Sequence, residues 1–184
     1  FCLTLPHITF TSFFTNHSNS IPVQFCGRRI KICHFYVSNF SLSDCVEQVV
    51  DLMKPAAMSK KVELMSDFQN DVPLEVIGDE NRIRQILINL VNNAIKFTDR
   101  GKVVIHAVLE KEDENLAVIR FSVSDTGIGI PPEDLPHIFD RFYRVDKART
   151  RQQGGSGLGL SIAKSIAQAH HGKIQVYSEV GKGT

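Results

Sequence analysis

The chain has 184 residues, enough for one domain with a core of ordinary size and at most a small appendage. Its 21 Lys and Arg residues nearly balance 20 Asp and Glu residues, so no global field favours nucleic acid or an anionic membrane. No apolar run approaches the ~18–20 residues of a membrane span. The four cysteines are distributed unevenly along the chain, which argues against a disulfide scaffold and fits a reducing compartment.

Composition changes near residue 40. The first forty residues contain three of the four Cys, seven of the twelve Phe and no acidic residue. They show no sustained helical or strand period and match a signal peptide poorly. Cys26, Cys33 and His34 are potential metal ligands by residue type, but their spacing fits no zinc pattern well. We expect residues 1–39 to be a poorly ordered, unassigned leader and residues 40–184 to form the domain.

Hydrophobic period and turn residues predict the elements of that domain in chain order. The first helix is expected to be capped by Ser43 or Asp44, and Gly172 is expected to follow the last helix as its C′ residue. Because helices and antiparallel strand pairs interleave, we expect a sheet covered by helices on one face. The predicted helices are 43–58, 79–97, one starting at 131–134, and 158–170. The predicted strands are 62–68, 103–110, 117–124 and 174–177, and a short apolar piece at 74–78 leads to the second helix.

The helix predicted at 79–97 carries two distinct faces. Its apolar face consists of Ile83, Ile86, Leu87, Leu90 and Ala94. A narrow polar stripe beside it consists of Arg82, Gln85, Asn89, Asn93 and Lys96. Amides and cations next to a core are unfavourable unless a polar group satisfies them. A magnesium-nucleotide would do so, with amide oxygen for the metal and lysine for phosphate, whereas the alternative is a solvated face.

Two glycine clusters flank a basic segment in the last third of the chain. The first, Asp125-Thr-Gly-Ile-Gly-Ile130, adds a carboxylate that can accept a hydrogen bond from the amino group of a base, although a plain β-turn is the alternative. The second, Gly154-Gly-Ser-Gly-Leu-Gly-Leu160, opens an apolar helix whose free N–H groups can face phosphate. We expect the segment between them to be a mobile nucleotide lid. The sequence does not determine which of its cations would reach the phosphates: Arg144, Lys147, Arg149 or Arg151.

Four ordered motifs resemble the N, G1, F and G2 boxes of sensor histidine kinases, within a wider group that includes gyrase B, Hsp90 and MutL. They are Asn89-x-x-x-Asn93-Ala-x-Lys96-Phe-Thr, Asp125-x-Gly-x-Gly, Phe139-x-x-Phe142 and Gly155-x-Gly-x-Gly159, and Gly181-Lys-Gly-Thr184 is similar to a further glycine box. The resemblance covers residues 40 to 184. It implies an α+β fold: the two-layer α/β sandwich of Bergerat type, with a mixed, mostly antiparallel sheet and helices on one face.

The resemblance also implies roles for individual residues. Asp125 would accept from the exocyclic amine of adenine, Asn93 would be the Mg²⁺ ligand, Asn89 would support the phosphate-metal cluster and Lys96 would meet phosphate. Phe139 and Phe142 are expected to pack and anchor the lid. Asn89, Asn93 and Lys96 form the implied catalytic set. The implied ATP-binding residues are these three with Asp125, Gly127, Gly129, Ile130, Phe142, Arg144, Gly155, Ser156, Gly157, Leu158, Gly159, Leu160 and Thr184.

Asn89 separates two reaction classes. ATP-hydrolysing relatives carry Glu four residues before the metal-binding Asn, and an amide cannot accept a proton from water at neutral pH. The implied activity is therefore a histidine kinase, in which ATP phosphorylates a histidine on a separate dimerisation and phosphoacceptor domain. None of the seven histidines lies in the family's His-Glu-Leu-Arg-Thr-Pro-like context, so we expect the chain to bind ATP and Mg²⁺ without phosphorylating itself. A hydrolysing or serine-kinase relative, or an inactive nucleotide-binding fragment, remains as the alternative.

The resemblance further implies a response regulator receiver domain as a partner, no nucleic acid and no direct membrane contact. It predicts a cytoplasmic domain and leaves a membrane anchor in the full-length protein open. Phe1 and Thr184 as termini suggest a fragment. Family members usually continue with one more apolar strand, so we expect a neighbour in the sheet to be under-paired.

Overall fold

The computed structural model describes residues 6–15, 36–114, 116–145 and 156–184. The elements are β1 (His7–Thr15), β2 (Ser38–Ser41), α1 (Leu42–Ser59), β3 (Val62–Phe68), β4 (Glu75–Gly78), α2 (Glu80–Phe97), β5 (Gly101–Glu112), β6 (Leu116–Asp125), α3 (Gly159–Ala169) and β7 (Ile174–Tyr177). The strands form one sheet in the order β2-β4-β1-β6-β5-β3, and β7 also pairs with β1. Within these ranges β3 and β5 pair in parallel and every other pair is antiparallel.

The core lies between one face of the sheet and the helices. Along β6 the residues alternate between buried and half-buried, as a strand with one covered face requires. The helix α2 packs against α1, α3 and β6, and its apolar positions fill the centre of this layer. The α+β, two-layer prediction with a mostly antiparallel sheet is therefore confirmed. Within the described ranges no helix is long and apolar enough to cross a membrane.

For residues 7–15, the strand β1 corrects the expectation of a poorly ordered leader. It pairs with β6 from Ile8 opposite Val123 to Thr15 opposite Leu116, and with β7 on its other side. Phe10 is fully buried and stacks on Phe121 with ring centroids 4.8 Å apart. The strand period was hidden because a serine, Ser12, occupies a buried position of the alternation.

The expectation of an under-paired neighbour in the sheet named no particular strand and stays a prediction. β6 pairs with β5 along one edge and with β1 along the other, so both of its edges have partners. The division of the chain near residue 40 stays a prediction.

Two predictions about helix starts were wrong. Ser41, rather than Ser43 or Asp44, is the N-cap of α1, because its Oγ accepts a hydrogen bond from the backbone N–H of Asp44 at 3.2 Å. The helix expected to start at 131–134 is a series of turns through residue 139. Its backbone bonds are mainly of the i to i+3 kind, such as Asp134 N to the oxygen of Pro131 at 3.0 Å, so no regular helical ladder develops.

The end of α3 differs from prediction as well. His171, with φ of 59°, takes the left-handed conformation that was expected of Gly172. Gly172 has another function, since a Cβ at this residue would lie 1.8 Å from the backbone oxygen of Thr11 in β1. The glycine therefore allows a close approach of two backbones, a requirement that the local sequence does not reveal.

Candidate nucleotide-binding site

The helix α2 places amide and lysine side chains along the margin of its buried face. Asp79 caps the helix by accepting from the backbone N–H of Arg82 at 3.1 Å. Asn89, Asn93 and Lys96 lie on successive turns and are half-buried. The amides of Asn89 and Asn93 make no hydrogen bond to any described residue. Because these side chains are only half-buried, their amide oxygens and N–H groups are open to a ligand.

The start of α3 approaches the middle of α2. A Cβ at Gly159 would lie 3.3 Å from Oδ1 of Asn89, so a larger residue would crowd that amide. Leu158 occupies the N-cap position, and no side chain accepts from the first N–H groups of α3. Ser156 is exposed, and Gly157, Leu158 and Leu160 are half-buried. Gly154 and Gly155 lie outside the described residues.

Asp125 stands at the end of β6 with one oxygen engaged and one available. Its Oδ1 accepts from the backbone N–H of Gly127 at 2.8 Å and of Thr184 at 3.3 Å. No described residue donates a hydrogen bond to Oδ2. Burial raises the pKa of Asp125 above its ordinary value, and the two backbone hydrogen bonds oppose that rise. The free oxygen can accept from a ligand.

The first glycine cluster is held between two other parts of the fold. A Cβ at Gly127 would lie 2.5 Å from the backbone oxygen of Phe97 at the end of α2, and Ile128 N donates to the same oxygen at 3.3 Å. Gly129 has φ of +71°, and a Cβ there would lie 2.2 Å from the backbone oxygen of Glu179. Both positions therefore require glycine, and the contacts join α2 directly to the turn that carries Asp125.

Ser178 is a site residue that the sequence reasoning missed. Its Oγ accepts from the backbone N–H of Ile130 at 2.8 Å and donates to the backbone oxygen of Gly183 at 2.9 Å. The same hydroxyl lies 3.0 Å from Oγ1 of Thr184, which is buried. Ser178 thus ties the first glycine cluster to the glycine turn at the end of the chain. The available signal in the sequence was a serine placed between the predicted strand 174–177 and the glycine box Gly181-Lys-Gly-Thr184.

The two phenylalanines expected to anchor the lid behave differently. Phe139 is half-buried, and the Nζ of Lys164 lies 5.4 Å from its ring centroid. The prediction of a packing role was wrong for Phe142, whose side chain is 70% exposed. Its backbone makes the contact instead, since Phe142 N donates to the oxygen of Gly157 at 3.0 Å. This bond brings together the two sides of the predicted lid.

Two cations face the same region. The Nη2 of Arg144 is buried and has no hydrogen-bond partner among the described residues. Burial lowers the pKa of Lys96 below its ordinary value, and the charges of Arg144 and Lys60 lower it further. An anion placed between Arg144 and Lys96 would relieve their repulsion and satisfy the guanidinium. The other candidate lid cations, Lys147, Arg149 and Arg151, lie outside the described residues.

Residues of five predicted motifs therefore meet in one region: Asn89 with Gly159, Lys96 with Arg144, Phe142 with Gly157, and Asp125 with Gly127 and Thr184. Two clefts on the sheet, one lined by Arg120 and Lys173 among others and one by Asp67 and His106 among others, share no residue with this region. The central residues of the predicted lid, 146–155, lie outside the described residues.

Comparisons with known proteins agree with this arrangement. The chain is 43% identical over 145 residues to the sensor histidine kinase GacS of Pseudomonas protegens, which is 79% of this chain and 16% of GacS. The catalytic domain of histidine kinase ThkA, in a nucleotide-free form, matches with a TM-score of 0.60 and 28% identity over 80% of this chain and 96% of that domain. Full-length ShkA in complex with AMPPNP matches with a TM-score of 0.61 and 30% identity over 82% of this chain and 32% of ShkA.

The fold is that of nucleotide-binding catalytic domains of histidine kinases. Residues 78–184 match the family described as histidine kinase-, DNA gyrase B- and HSP90-like ATPase, a span that contains α2, both glycine clusters and the final glycine turn. The chain belongs to this family of histidine kinase-, DNA gyrase B- and HSP90-like ATPases.

Proposed function

We propose that this chain is the ATP-binding catalytic module of a sensor histidine kinase, which donates the γ-phosphoryl group of ATP to a histidine on a dimerisation and phosphoacceptor domain. One observation carries the proposal: the amides of Asn89 and Asn93, without hydrogen-bond partners among the described residues, lie on the same helix edge as Lys96, and the charge of Arg144, whose Nη2 is buried and has no partner there, acts on Lys96. Two amide oxygens and two cations form a set that suits a magnesium-bound polyphosphate.

Asp125 supports the adenine end of this proposal. Its Oδ1 is occupied by two backbone donors, so Oδ2 is the oxygen that would accept from the exocyclic amine of adenine. Gly127 and Gly129 hold the turn after Asp125 against the backbone oxygens of Phe97 and Glu179, where a Cβ would clash, so the position of Asp125 is fixed. Ile130 N is held by Ser178, which keeps the same turn in place.

The residues present fit Mg²⁺ bound together with a nucleotide. No group of three or more His, Cys, Asp or Glu among the described residues could hold a metal by itself. Mg²⁺ is typically bound by one or two protein oxygens and the substrate's phosphates, so the Oδ1 of Asn93 is a sufficient ligand and Asn89 can support the cluster. Bound there, the ion would neutralise charge on the phosphates. Lys96 and Arg144 would hold phosphate oxygens by charge, and the N–H groups at the start of α3, which no capping side chain accepts from, are available to the same anion.

The position of Asn89 supports transfer to another nucleophile rather than to water. An amide there cannot act as a general base, so bound ATP is retained for an incoming imidazole. Among the described histidines, His106 contacts Asp67 and His137 contacts Asp140, and neither has the sequence context of a phosphoacceptor. The chain covers 16% of the length of GacS, so the acceptor domain, a receiver domain as a partner and a cytoplasmic location all belong to this proposal.

A phosphotransfer assay tests the proposed function. The purified chain is mixed with γ-labelled ATP, Mg²⁺ and a dimerisation domain that carries a His-Glu-Leu-Arg-Thr-Pro-like sequence, and Asn93→Ala serves as the inactive control. Acid-labile label on that domain, present with the unmutated chain and absent with the control, supports the proposal. Free phosphate without labelled protein would instead favour a hydrolysing ATPase, and the absence of both products would favour a nucleotide-binding module without activity.

A further inference from the structure

Lys60 makes an unusual set of contacts at the end of α2. Its Nζ donates to three backbone oxygens: those of Ile95 at 2.9 Å, Lys96 at 2.6 Å and Thr98 at 3.1 Å. The Lys60 side chain is half-buried, with 30% of it exposed, and an oxygen of Asp99 lies 4.0 Å from its Nζ. Lys60 does not belong to α2, since it follows α1 as the C-cap residue of that helix.

The end of α2 depends on this contact. The last carbonyl groups of a helix have no partner within the helix, and a glycine often turns the chain back to satisfy them. Here the C-cap is Thr98 in an extended conformation, so no such turn forms. Thr98 N bonds the oxygen of Ala94, Ile128 N bonds the oxygen of Phe97, and Lys60 takes the remaining oxygens of the last turn.

Lys60 is itself held firmly. Its backbone N–H donates to the oxygen of Ala57 at 3.1 Å, and the next residue, Lys61, turns the chain with φ of 57°. The base of the Lys60 side chain is thus fixed by the end of α1, while its ammonium fixes the end of α2. One of the oxygens that it binds belongs to Lys96, so the contact constrains the backbone of the lysine that faces the phosphates.

We propose that Lys60 is a positioning residue for the phosphate end of the nucleotide site. It does not touch the nucleotide; it orders the last turn of α2 so that Lys96 lies where the phosphates bind. The inference rests on the proposed function, because it assigns a role toward the same site. The charge of Lys60, which adds to burial and to Arg144 in lowering the pKa of Lys96, agrees with this proximity.

The test compares ATP·Mg²⁺ with adenosine, which reaches Asp125 and has no phosphate. Dissociation constants are measured for the unmutated chain, Lys60→Met, Lys60→Arg and the control Lys61→Met, which removes the neighbouring exposed lysine. NMR titration is suited to the adenosine arm, because it tolerates weak binding. In Lys60→Met we expect ATP to bind about ten- to a hundredfold more weakly, because a small misplacement of a binding group has a large effect. The dissociation constant for adenosine should change by less than about twofold. Lys61→Met should match the unmutated chain, and Lys60→Arg should recover most of the loss.

A purely structural role for Lys60 would give a different result. The substitution would then lower the melting temperature and weaken the binding of ATP and of adenosine to the same extent. That outcome overturns the inference, and so does an unchanged affinity for ATP. If Lys60→Met does not fold, Lys60→Gln, which keeps N–H donors without charge, is titrated instead. Its losses of affinity for ATP and for adenosine are then compared in the same way. Failure of the proposed function is visible separately: if the nucleotide site is wrong, the unmutated chain does not bind ATP·Mg²⁺, and if only phosphotransfer is wrong, the phosphotransfer assay shows it while these affinities are unaffected.

Discussion

Replacing Asp125 by Asn should separate nucleotide binding from folding. In the native chain Oδ1 accepts from Gly127 N and Thr184 N, and an amide oxygen can accept both bonds as well. The other atom changes from an acceptor to an NH₂ donor, which would face the donor amine of adenine. Because burial already disfavours the ionised carboxylate, removal of the charge should not weaken the fold.

The magnitude follows from the bond that is lost. A hydrogen bond to a charged group contributes about 1.5–3 kcal/mol, which corresponds to roughly a 10- to 150-fold weaker dissociation constant for ATP. The free energy of unfolding should change by less than about 1 kcal/mol, because both backbone donors keep an acceptor. A 6-oxopurine such as ITP presents an acceptor at that position, so Asp125→Asn should narrow or invert the preference for ATP over ITP.

Isothermal titration with ATP and ITP, with urea denaturation of the same samples, measures all three quantities. Asp125→Ala is the comparison variant, because it leaves Gly127 N and Thr184 N without an acceptor and should lose stability as well as affinity. An ATP affinity within twofold of the unmutated chain in Asp125→Asn would refute the assignment of Asp125 to the base. Equal losses of affinity for ATP and for ITP in Asp125→Asn would show that the turn is distorted, and would refute the hydrogen-bond argument.

Three further predictions concern the fold. Phe10→Ala, which removes a fully buried ring from β1, should lower the free energy of unfolding by about 3–5 kcal/mol, whereas Phe13→Ala on the half-buried face should have a much smaller effect. Burial raises the pKa of Cys45 from 9.0 to about 11, so the folded state holds the thiol proton to higher pH than the unfolded state. The contribution of this thiol to the free energy of unfolding is fully present below pH 9, and about 2–3 kcal/mol is lost as the pH rises to 11. Cys45→Ala should not show this loss. Gly129→Ala combines a positive φ with a backbone clash and should weaken both ATP binding and stability. Gly181→Ala, which has a positive φ but open space around it, should lose only about 1 kcal/mol of unfolding free energy to backbone strain.

Denaturant midpoints and pH-dependent melts check these expectations. Equal effects of Phe10→Ala and Phe13→Ala would contradict the placement of β1 in the centre of the sheet. A parallel alkaline loss in the native chain and in Cys45→Ala would assign that loss to other groups. Indistinguishable Gly129→Ala and Gly181→Ala variants would contradict the close contact of the first glycine cluster with Glu179.

Most of the domain could be predicted from the sequence, because local signals agree with the packing. The strands 62–68 and 174–177 match β3 and β7 in full, and the predicted apolar positions of α2 are all buried. The polar stripe of α2 was visible because a helix of 3.6 residues per turn brings Asn89, Asn93 and Lys96 to one side. Gly159 lies beside Asn89, and Lys60 binds the backbone oxygen of Lys96. The roles of Asn89, Asn93 and Lys96 toward ATP and Mg²⁺ stay predictions.

The parts that the sequence did not reveal depend on distant contacts. β1 forms only against β6 and β7, more than a hundred residues away, and its inward Ser12 breaks the apolar alternation. Gly172 is required by the backbone of Thr11 rather than by its own helix. Ser178 and Lys60 act through backbone atoms of other segments, and such partners leave no local pattern in composition or period.

The central claim is that the amides of α2 meet a magnesium-bound nucleotide. Calorimetric titration of ATP into the folded chain and into Asn93→Ala, with Mg²⁺ and again with EDTA, tests it most directly. The account predicts one saturable site that Asn93→Ala weakens by about tenfold or more with Mg²⁺ present, and a much smaller difference between the two proteins in EDTA. No heat at millimolar ATP on a folded sample, or equal affinities of both proteins with Mg²⁺, would contradict it.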